Sequence, residues 1–204
     1  MASDAKPSRL RSRRTMLLLA GGAALVTAGG FALHRLLRFP PDTTPEGAYL
    51  RVTFELARGN VKGVFSYLED AAQHAAFTIR DYRKKASDLV AAHYPEPDRA
   101  RLLDEYRTHA EAPDGSDVWV DLATSRGWTG RLRRDLSGIA STEIDGDRAT
   151  ITTVRGTRYP FRKRDNGMWG LTLFTADMVA LAERAARDLE VVTKAADDYA
   201  HAGG

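Results

Sequence analysis

An acidic side chain beside a phenol is the arrangement in this chain that comes closest to acid-base chemistry. Asp81 and Tyr82 are adjacent in a segment rich in alanine and charged residues. General acid-base catalysis needs a carboxyl group whose pKa is raised by burial and that lies within hydrogen-bond reach of a substrate. The alternative interpretation is a surface aspartate that pairs with Lys84 or Lys85 along a helix.

Other reactive residue types lack the spacing that known chemistry needs. The chain has no cysteine, which excludes disulfides, thiolate metal sites and thiol nucleophiles. The body has no pair of histidines four residues apart, no glycine-rich phosphate loop and no Gly-x-Ser-x-Gly motif. We therefore expect no metal, no cofactor and no catalytic residue that spacing alone identifies. These absences favour a protein without catalytic activity but do not exclude an enzyme.

The first half of the body shows helical periodicity. Thr44-Pro45-Glu46 predicts a helix start, with a capping hydroxyl, a first-turn proline and an acidic residue. Shorter helices are expected over 60–68, after Pro97 and over 117–125. The clearest pattern predicts one long helix, because its apolar positions alternate spacings of three and four: Ala72, Ala75, Ile79, Tyr82, Ala86, Leu89 and His93.

From residue 139 the period of the apolar residues changes to two. Four strands are predicted over 139–144, 148–154, 157–164 and 168–174, and each gap between them contains a glycine. These turn residues predict an antiparallel meander. Because Pro160 lacks an N–H group, its strand should have a bulge or a locally one-sided ladder. A last helix is expected over 175–199, which completes an α+β fold.

Alternation assigns the side chains of the sheet to two faces. Tyr159 and Phe161 share one face of the third strand, and Trp169, Leu171 and Leu173 share one face of the fourth. We expect these five to be buried against the stripe of the long helix that contains Ala75, Ile79 and Tyr82. The opposite face of the sheet should be exposed to solvent. It carries Arg158, Arg162 and Arg164, which are candidate contacts for an acidic partner.

The charge of the chain is divided unevenly. The whole chain is basic, with 30 Lys and Arg against 27 Asp and Glu. Residues 1–44 hold seven of the basic and two of the acidic side chains, so residues 45–204 are slightly acidic. A domain that binds nucleic acid needs a basic face to neutralise phosphates. We therefore expect no nucleic-acid partner.

The N-terminal segment has the features of an export signal. Residues 16–33 contain no charge and follow five basic residues, so they are just long enough to cross a bilayer as a helix. The preceding positive charges place the N-terminus in the cytoplasm and the body on the far side. The segment Ser12-Arg13-Arg14-Thr15-Met16-Leu17-Leu18 resembles a twin-arginine signal, which implies export of a folded protein. Otherwise Arg13 and Arg14 are ordinary topology-setting charges.

The expected organisation has three parts. Residues 1–38 form an export signal or a signal anchor, 39–44 form a short linker containing Pro40 and Pro41, and 45–200 form a single α+β domain. Cleavage after Ala28 or Ala32 would release the body into the periplasm. Without cleavage, residues 16–33 would anchor it in the inner membrane.

The order of the predicted elements resembles the nuclear transport factor 2-like superfamily, whose members have a cone-shaped α+β fold. The resemblance rests on the N-terminal helices and on the meander that follows them. Within the meander it is carried by Tyr159-Pro160-Phe161, Trp169-Gly170-Leu171 and the turn at Asp145-Gly146-Asp147. The resemblance implies a pocket between helices and sheet, with Asp81, Tyr82, Tyr159 and Trp169 as candidate ligand-binding residues. No catalytic residue of the enzymatic members matches this chain.

Two functions follow from these observations. The first is a bacterial envelope protein without catalytic activity, exported or anchored, that binds a protein partner or a small ligand. The second is a small cone-fold enzyme of the isomerase or hydrolase type, with its site near Asp81 and Tyr82. Apart from an envelope partner, the expected partners are the twin-arginine or the general export machinery.

Overall fold

The computed structural model describes residues 40–202, which form one compact unit. The predicted export signal with Arg13 and Arg14, and the apolar run 16–33, lie outside the described residues. Within residues 40–202, no helix combines the length and the hydropathy that crossing a bilayer requires.

Six α-helices precede the sheet in the described part of the chain, and one follows it. The first six are α1 (Pro45–Ala57), α2 (Val61–Val64), α3 (Asp70–His93), α4 (Asp98–Ala110), α5 (Gly115–Ser125) and α6 (Trp128–Asp135). The seventh, α7, spans Thr175–Ala202. The expected cap of α1 is present, because the Thr44 hydroxyl accepts a hydrogen bond of 3.1 Å from the Gly47 N–H group.

The two longest helices run side by side in the same direction. Leu68 and Leu171, just before α3 and α7, form a parallel bridge. Farther along, Arg83 Nη2 lies 2.7 Å from Asp188 Oδ2, and the Tyr94 hydroxyl donates to the Val192 carbonyl at 3.2 Å. The α4 helix packs against α3, and the ends of the three helices enclose a second small core with Val90, Tyr106 and Val192 among its members.

The four strands form an antiparallel meander in the order β1 (Ile139–Asp145), β2 (Arg148–Thr153), β3 (Arg158–Lys163) and β4 (Trp169–Leu171). The intervening turns contain Gly146, Gly156 and Gly167, each with a positive φ that other residues rarely adopt. The α+β class, the meander and the long C-terminal helix are therefore confirmed.

Pro160 lies in an inner strand without breaking its ladder. It faces Thr150 of β2, and its carbonyl accepts a hydrogen bond from the Thr172 N–H group at 3.0 Å on the other side. The N–H and C=O groups of one strand residue point to the same side. The missing N–H group thus falls beside Thr172, after β4 has ended at Leu171, so the ladder is one-sided there.

The apolar face of the sheet is buried against α1 rather than against the long helix. The rings of Tyr49 and Tyr159 lie 5.3 Å apart, and α1 contacts β2 and β4. Tyr159, Phe161, Trp169 and Leu171 are buried as expected, whereas Leu173, which follows the end of β4, is only half-buried. The expected packing on the stripe of α3 is wrong in its main partner: α3 packs along α7, α4 and α5, and Tyr82 is only half-buried. Alanines on α3 and α7 permit this close approach of helices.

Residues 40–44, predicted as part of a linker, contact the body directly. The Asp42 carbonyl accepts a hydrogen bond from the Trp169 backbone N–H group at 3.2 Å, and the Thr43 carbonyl accepts one from the Trp169 indole at 3.2 Å. Pro41 accepts from Thr44 in a turn. The structured body therefore begins before the predicted boundary at residue 45.

Candidate functional site

Tyr159 and Trp169, two of the predicted ligand-binding residues, are part of the filled main core. Both are almost fully buried, and the Tyr159 hydroxyl has no hydrogen-bond partner within the described residues. Burial, and then the neighbouring Tyr49, raise the pKa of Tyr159 to about 12. Because other side chains occupy the space around them, these two residues do not line a ligand pocket in the described structure.

Asp81 and Tyr82 lie on α3, with Asp81 exposed and Tyr82 half-buried. The Asp81 carboxylate is exposed and lies 2.9 Å from Arg80 Nη1, not beside Lys84 or Lys85 as one interpretation expected. Lys84 instead pairs with Asp88 one turn along α3. The Lys85 ammonium lies 5.8 Å from the centre of the Tyr82 ring. None of the three clefts described below is lined by Asp81 or Tyr82.

The three predicted partner-contact arginines differ in exposure. Arg158 and Arg162 are exposed and pair with Glu143 at 3.4 Å and Asp147 at 3.0 Å. The Arg164 side chain is only 12% exposed.

Arg164 holds the β3–β4 hairpin to the start of α3. Its Nε lies 2.6 Å from Asp70 Oδ1, its Nη1 donates to the Ser66 carbonyl at 2.9 Å, and its Nη2 donates to Gln73 Oε1 at 3.4 Å. With its donors used inside the protein, Arg164 is a structural residue. The expectation that it is free to contact a partner is therefore wrong.

A cleft of about 410 Å³ opens on the face of the sheet opposite the core. We call it the outer-face cleft. Its walls come from β2, from β3, from the residue that follows β4 and from the residue that precedes α3. The lining includes Glu69, Arg148, Thr150, Pro160, Arg162 and Thr172. A second concavity of about 320 Å³ shares Glu69 and Arg162 with it and continues over Asp70 and Ala71 in the first turn of α3.

Gly170 explains how Glu69 comes to line this cleft. The Leu68–Glu69 segment pairs with the free edge of β4, where the Glu69 N–H group donates to the Leu171 carbonyl at 3.2 Å. A Cβ atom on Gly170 would lie 2.6 Å from the Glu69 Cα atom, closer than real Cβ atoms approach backbone. Glycine at this position therefore allows the segment to lie against β4, with Glu69 on the outer face.

Glu69 is a mostly buried residue, but its carboxylate oxygens remain accessible to solvent. The residue is only 9% exposed, and within the described residues its carboxylate makes no hydrogen bond or ion pair. It stands at the N-terminus of the 24-residue helix α3, where the helix dipole favours a negative charge. Glu69 was not predictable as a cleft residue, because its position depends on the distant Gly170 and no local sequence pattern marks it.

The charges around the cleft have two signs. Arg162 and Arg148 face each other across β3 and β2, so the outer face carries a row formed by Glu69, Gly170, Arg162 and Arg148. Arg162 pairs with Asp147, whereas Arg148 makes no ion pair within the described residues. The cleft can therefore offer one carboxylate acceptor and one guanidinium donor group to a ligand.

A third cleft, of about 490 Å³, is more open and is lined by Phe65, Phe77 and the start of α5. Its polar groups are already used. Asp114 caps α5 through the Ser116 backbone N–H group, and the Ser116 hydroxyl also donates to it. The hydrogen bond from Ser116 lowers the pKa of Asp114, and Lys62 pairs with Asp117 at 2.7 Å. This arrangement stabilises the helix start and leaves little polar capacity for a ligand.

Histidine and carboxylate side chains do not assemble into a metal centre in residues 40–202, where no group of three lies close enough together. His109 Nε2 lies 2.9 Å from Asp121 Oδ2, and His74 and His93 are exposed.

Comparison of the chain with protein-family models, with curated proteins and with solved structures gives no match. The resemblance to the nuclear transport factor 2-like superfamily stays a prediction.

Proposed function

We propose that this chain is an exported or membrane-anchored bacterial envelope protein that acts by binding rather than by catalysis. Its body would lie outside the cytoplasm, and the outer-face cleft would be its binding site. The observation that carries the proposal is the outer-face cleft of about 410 Å³, which brings Glu69, Arg148 and Arg162 to one concave surface. A concave site with a few polar groups is the usual form of a binding site, so this cleft supports a binding function.

Three further observations support binding on this face. The space expected to hold a pocket is filled by Tyr49, Tyr159 and Trp169. Arg162, a predicted contact residue, lines the cleft, and Arg158 is exposed on the same face. The cleft is built from strand residues and a helix start, and rigid elements hold binding groups more accurately than loops do.

The alternative function, a small isomerase or hydrolase with its site near Asp81 and Tyr82, receives less support. A general acid or base needs access to a substrate and a suitable pKa. Asp81 is exposed, is neutralised by Arg80 and lines none of the clefts described above. An acid-base role at Asp81 would therefore require a substrate site other than these three clefts.

Capture of envelope proteins by the purified full chain tests the proposal. The bait is compared with a variant carrying Arg158→Ser and Arg162→Ser, which removes two exposed cations from the outer face. Arg187→Ser on α7 is a matched control, because Arg187 is also exposed and only weakly paired, with Glu183 at 4.0 Å. Arg164 is left intact because its loss would damage the fold.

We expect a partner that is retained by the natural chain and by the Arg187 variant and is lost by the double variant. Recovery of the same proteins in the same amounts by all three baits would contradict a binding role for the outer face. A capture that fails for every bait would contradict protein binding as the function.

A further inference from the structure

We infer that the exposed surface around α6 is a docking surface for an acidic patch on a second protein outside the cytoplasm. Helix α6 and the segments beside it carry six exposed arginines, which together we call the α6 face: Arg58, Arg126, Arg131, Arg133, Arg134 and Arg155. The α6 face shares no residue with the outer-face cleft, so it shares with the proposed function only the location of the body.

Contacts at both flanks of α6 bring arginines from distant segments to one surface. The Arg155 guanidinium donates a hydrogen bond to the Arg134 carbonyl, which fixes the turn between β2 and β3 to the end of α6. At the other flank, Arg133 Nη2 would lie 3.9 Å from a Cβ atom placed on Gly59, the residue after Arg58. The six arginines therefore form one surface rather than scattered positions.

The periodicity of α6 directs its arginines to solvent. Trp128 and Leu132 form the buried side of the helix, so Gly130 lies at the middle of the opposite, exposed side. Arg126 precedes α6 and covers its first turn, with its Cζ atom 5.8 Å from the centre of the Trp128 ring. A Cβ atom on Gly130 would have nothing within 4 Å, so a partner can approach the helix closely between the arginines.

The positive charge of the α6 face is not compensated within the described residues. None of its six arginines forms an ion pair there, whereas Arg158 and Arg162 on the sheet pair with Glu143 and Asp147. Over residues 122–142 the only acidic side chain is that of Asp135, which is half-buried. Like charges held together repel one another, and an acidic surface placed against them removes that repulsion.

The residue type and the shape of the α6 face indicate a protein surface as its partner. All six cations are arginines, whose planar guanidinium groups bind carboxylates with two parallel hydrogen bonds. Arginine is enriched at protein interfaces, whereas lysine is depleted there. The three clefts described above are not lined by these arginines, so the face fits a surface better than an enclosed small molecule.

The charge of the remaining body favours a protein patch over an extended polyanion. Of the 23 basic side chains in residues 45–204, these six leave 17, against 25 acidic ones. A nucleic acid or an anionic bilayer presents negative charge over a large area and would also meet these acidic surroundings. A compact acidic patch on a protein meets the arginines alone.

Photocrosslinking in cells that produce the full chain tests this docking surface. A photoreactive benzophenone amino acid replaces Gly130, where the new side chain meets no neighbour. We expect illumination to join the chain to a protein, and mass spectrometry should place the link in a partner peptide rich in Asp and Glu. The same amino acid in place of Ala180, which is exposed on α7, is the control for unspecific contacts.

Arginine variants of the crosslinking chain test the role of charge. Arg131→Gln, Arg133→Gln and Arg134→Gln are combined, because glutamine has nearly the same helix propensity as arginine and preserves α6. We expect the yield of the adduct to fall at least about fivefold, since several charge pairs are lost. Arg184→Gln is the matched control, because Arg184 is exposed on α7 and forms no ion pair within the described residues. It should leave the yield unchanged.

Several results would overturn the inference. These are the absence of a protein adduct from position 130, an equal yield of the same adduct from position 180, and an adduct with nucleic acid or lipid alone. A protein adduct that keeps its yield in the triple variant, or whose link lies in a peptide without acidic residues, would also contradict it. Arg158→Ser and Arg162→Ser should leave this adduct in place, so failure of the outer-face proposal is distinguishable from failure of this one.

Discussion

Tyr159 places a phenol in the main core with no partner for its hydroxyl group within the described residues. Replacing it with phenylalanine removes a buried polar group and keeps the ring. At neutral pH we expect Tyr159→Phe to leave the free energy of unfolding unchanged or to raise it by about 1 kcal/mol. Urea unfolding of the two proteins measures this difference, and a loss of more than 2 kcal/mol, about the cost of a small core cavity, would contradict it.

The same residue predicts a dependence of stability on alkaline pH. The folded pKa of about 12 lies above the ordinary value of 10.0. The contribution of the protonated Tyr159 to the free energy of unfolding is therefore fully present below pH 10. It falls by about 2 to 3 kcal/mol as the pH rises towards 12. Tyr159→Phe should reduce this loss, and urea unfolding of the two proteins at neutral and alkaline pH measures it. Equal alkaline losses in the natural chain and the variant would contradict the burial of Tyr159.

Arg164 and Arg158 should differ strongly in their contribution to stability. Arg164→Gln removes the contacts with Asp70, Ser66 and Gln73 at a partly buried position, and we expect a loss of about 2 kcal/mol. Arg158→Gln breaks an exposed pair and should change stability by less than about 1 kcal/mol. Denaturant unfolding measures both, and similar effects would contradict the structural role of Arg164.

Among the elements, those defined by local patterns were predictable from sequence. The long helix α3 follows from the spacing of its apolar residues, and the meander follows from alternation with glycines at the turns. Even the one-sided ladder at Pro160 was among the expectations, because its cause is local: the missing N–H group. Helix α6 was not assigned, since Trp128 and Leu132 are its only buried residues and define no stripe.

The packing partners of the elements were not predictable, because they depend on contacts between distant segments. An apolar stripe shows that α3 is buried on one face, but it does not show that α7 and α4 cover it instead of the sheet. The outer-face cleft also depends on contacts between distant segments. Glu69 becomes buried only because its backbone pairs with β4, about a hundred residues later, where Gly170 allows the approach.

A pair of glycine substitutions tests this approach at the level of the elements. In Gly170→Ala, the new Cβ atom would lie 2.6 Å from Glu69 Cα, and backbone cannot move aside as a side chain can. We expect a loss of about 1 to 3 kcal/mol. Gly130→Ala, inside α6 with nothing within 4 Å of the new atom, should gain about 0.5 to 1 kcal/mol. A tolerated Gly170 substitution would contradict the close contact of Glu69 with β4.

For the whole molecule, the uneven charge distribution has a consequence for export. The positive charge is concentrated before the apolar run, and the body is slightly acidic. If the twin-arginine resemblance reflects the route, replacing Arg13 and Arg14 with lysine should abolish export, although the charge is kept. Fractionation of cells that produce the natural chain or the variant measures this. Unchanged export of the variant would indicate the general route.

The binding proposals all require that the body lies outside the cytoplasm, and the cysteine-free sequence permits a direct measurement. Ala180→Cys places a single thiol on the exposed side of α7, while Ala123→Cys, in the core, is a control that should react only after denaturation. A membrane-impermeant maleimide is added to intact spheroplasts that retain the full chain. We predict labelling of the Ala180 variant without lysis. Labelling that appears only after lysis would place the body in the cytoplasm and contradict the account.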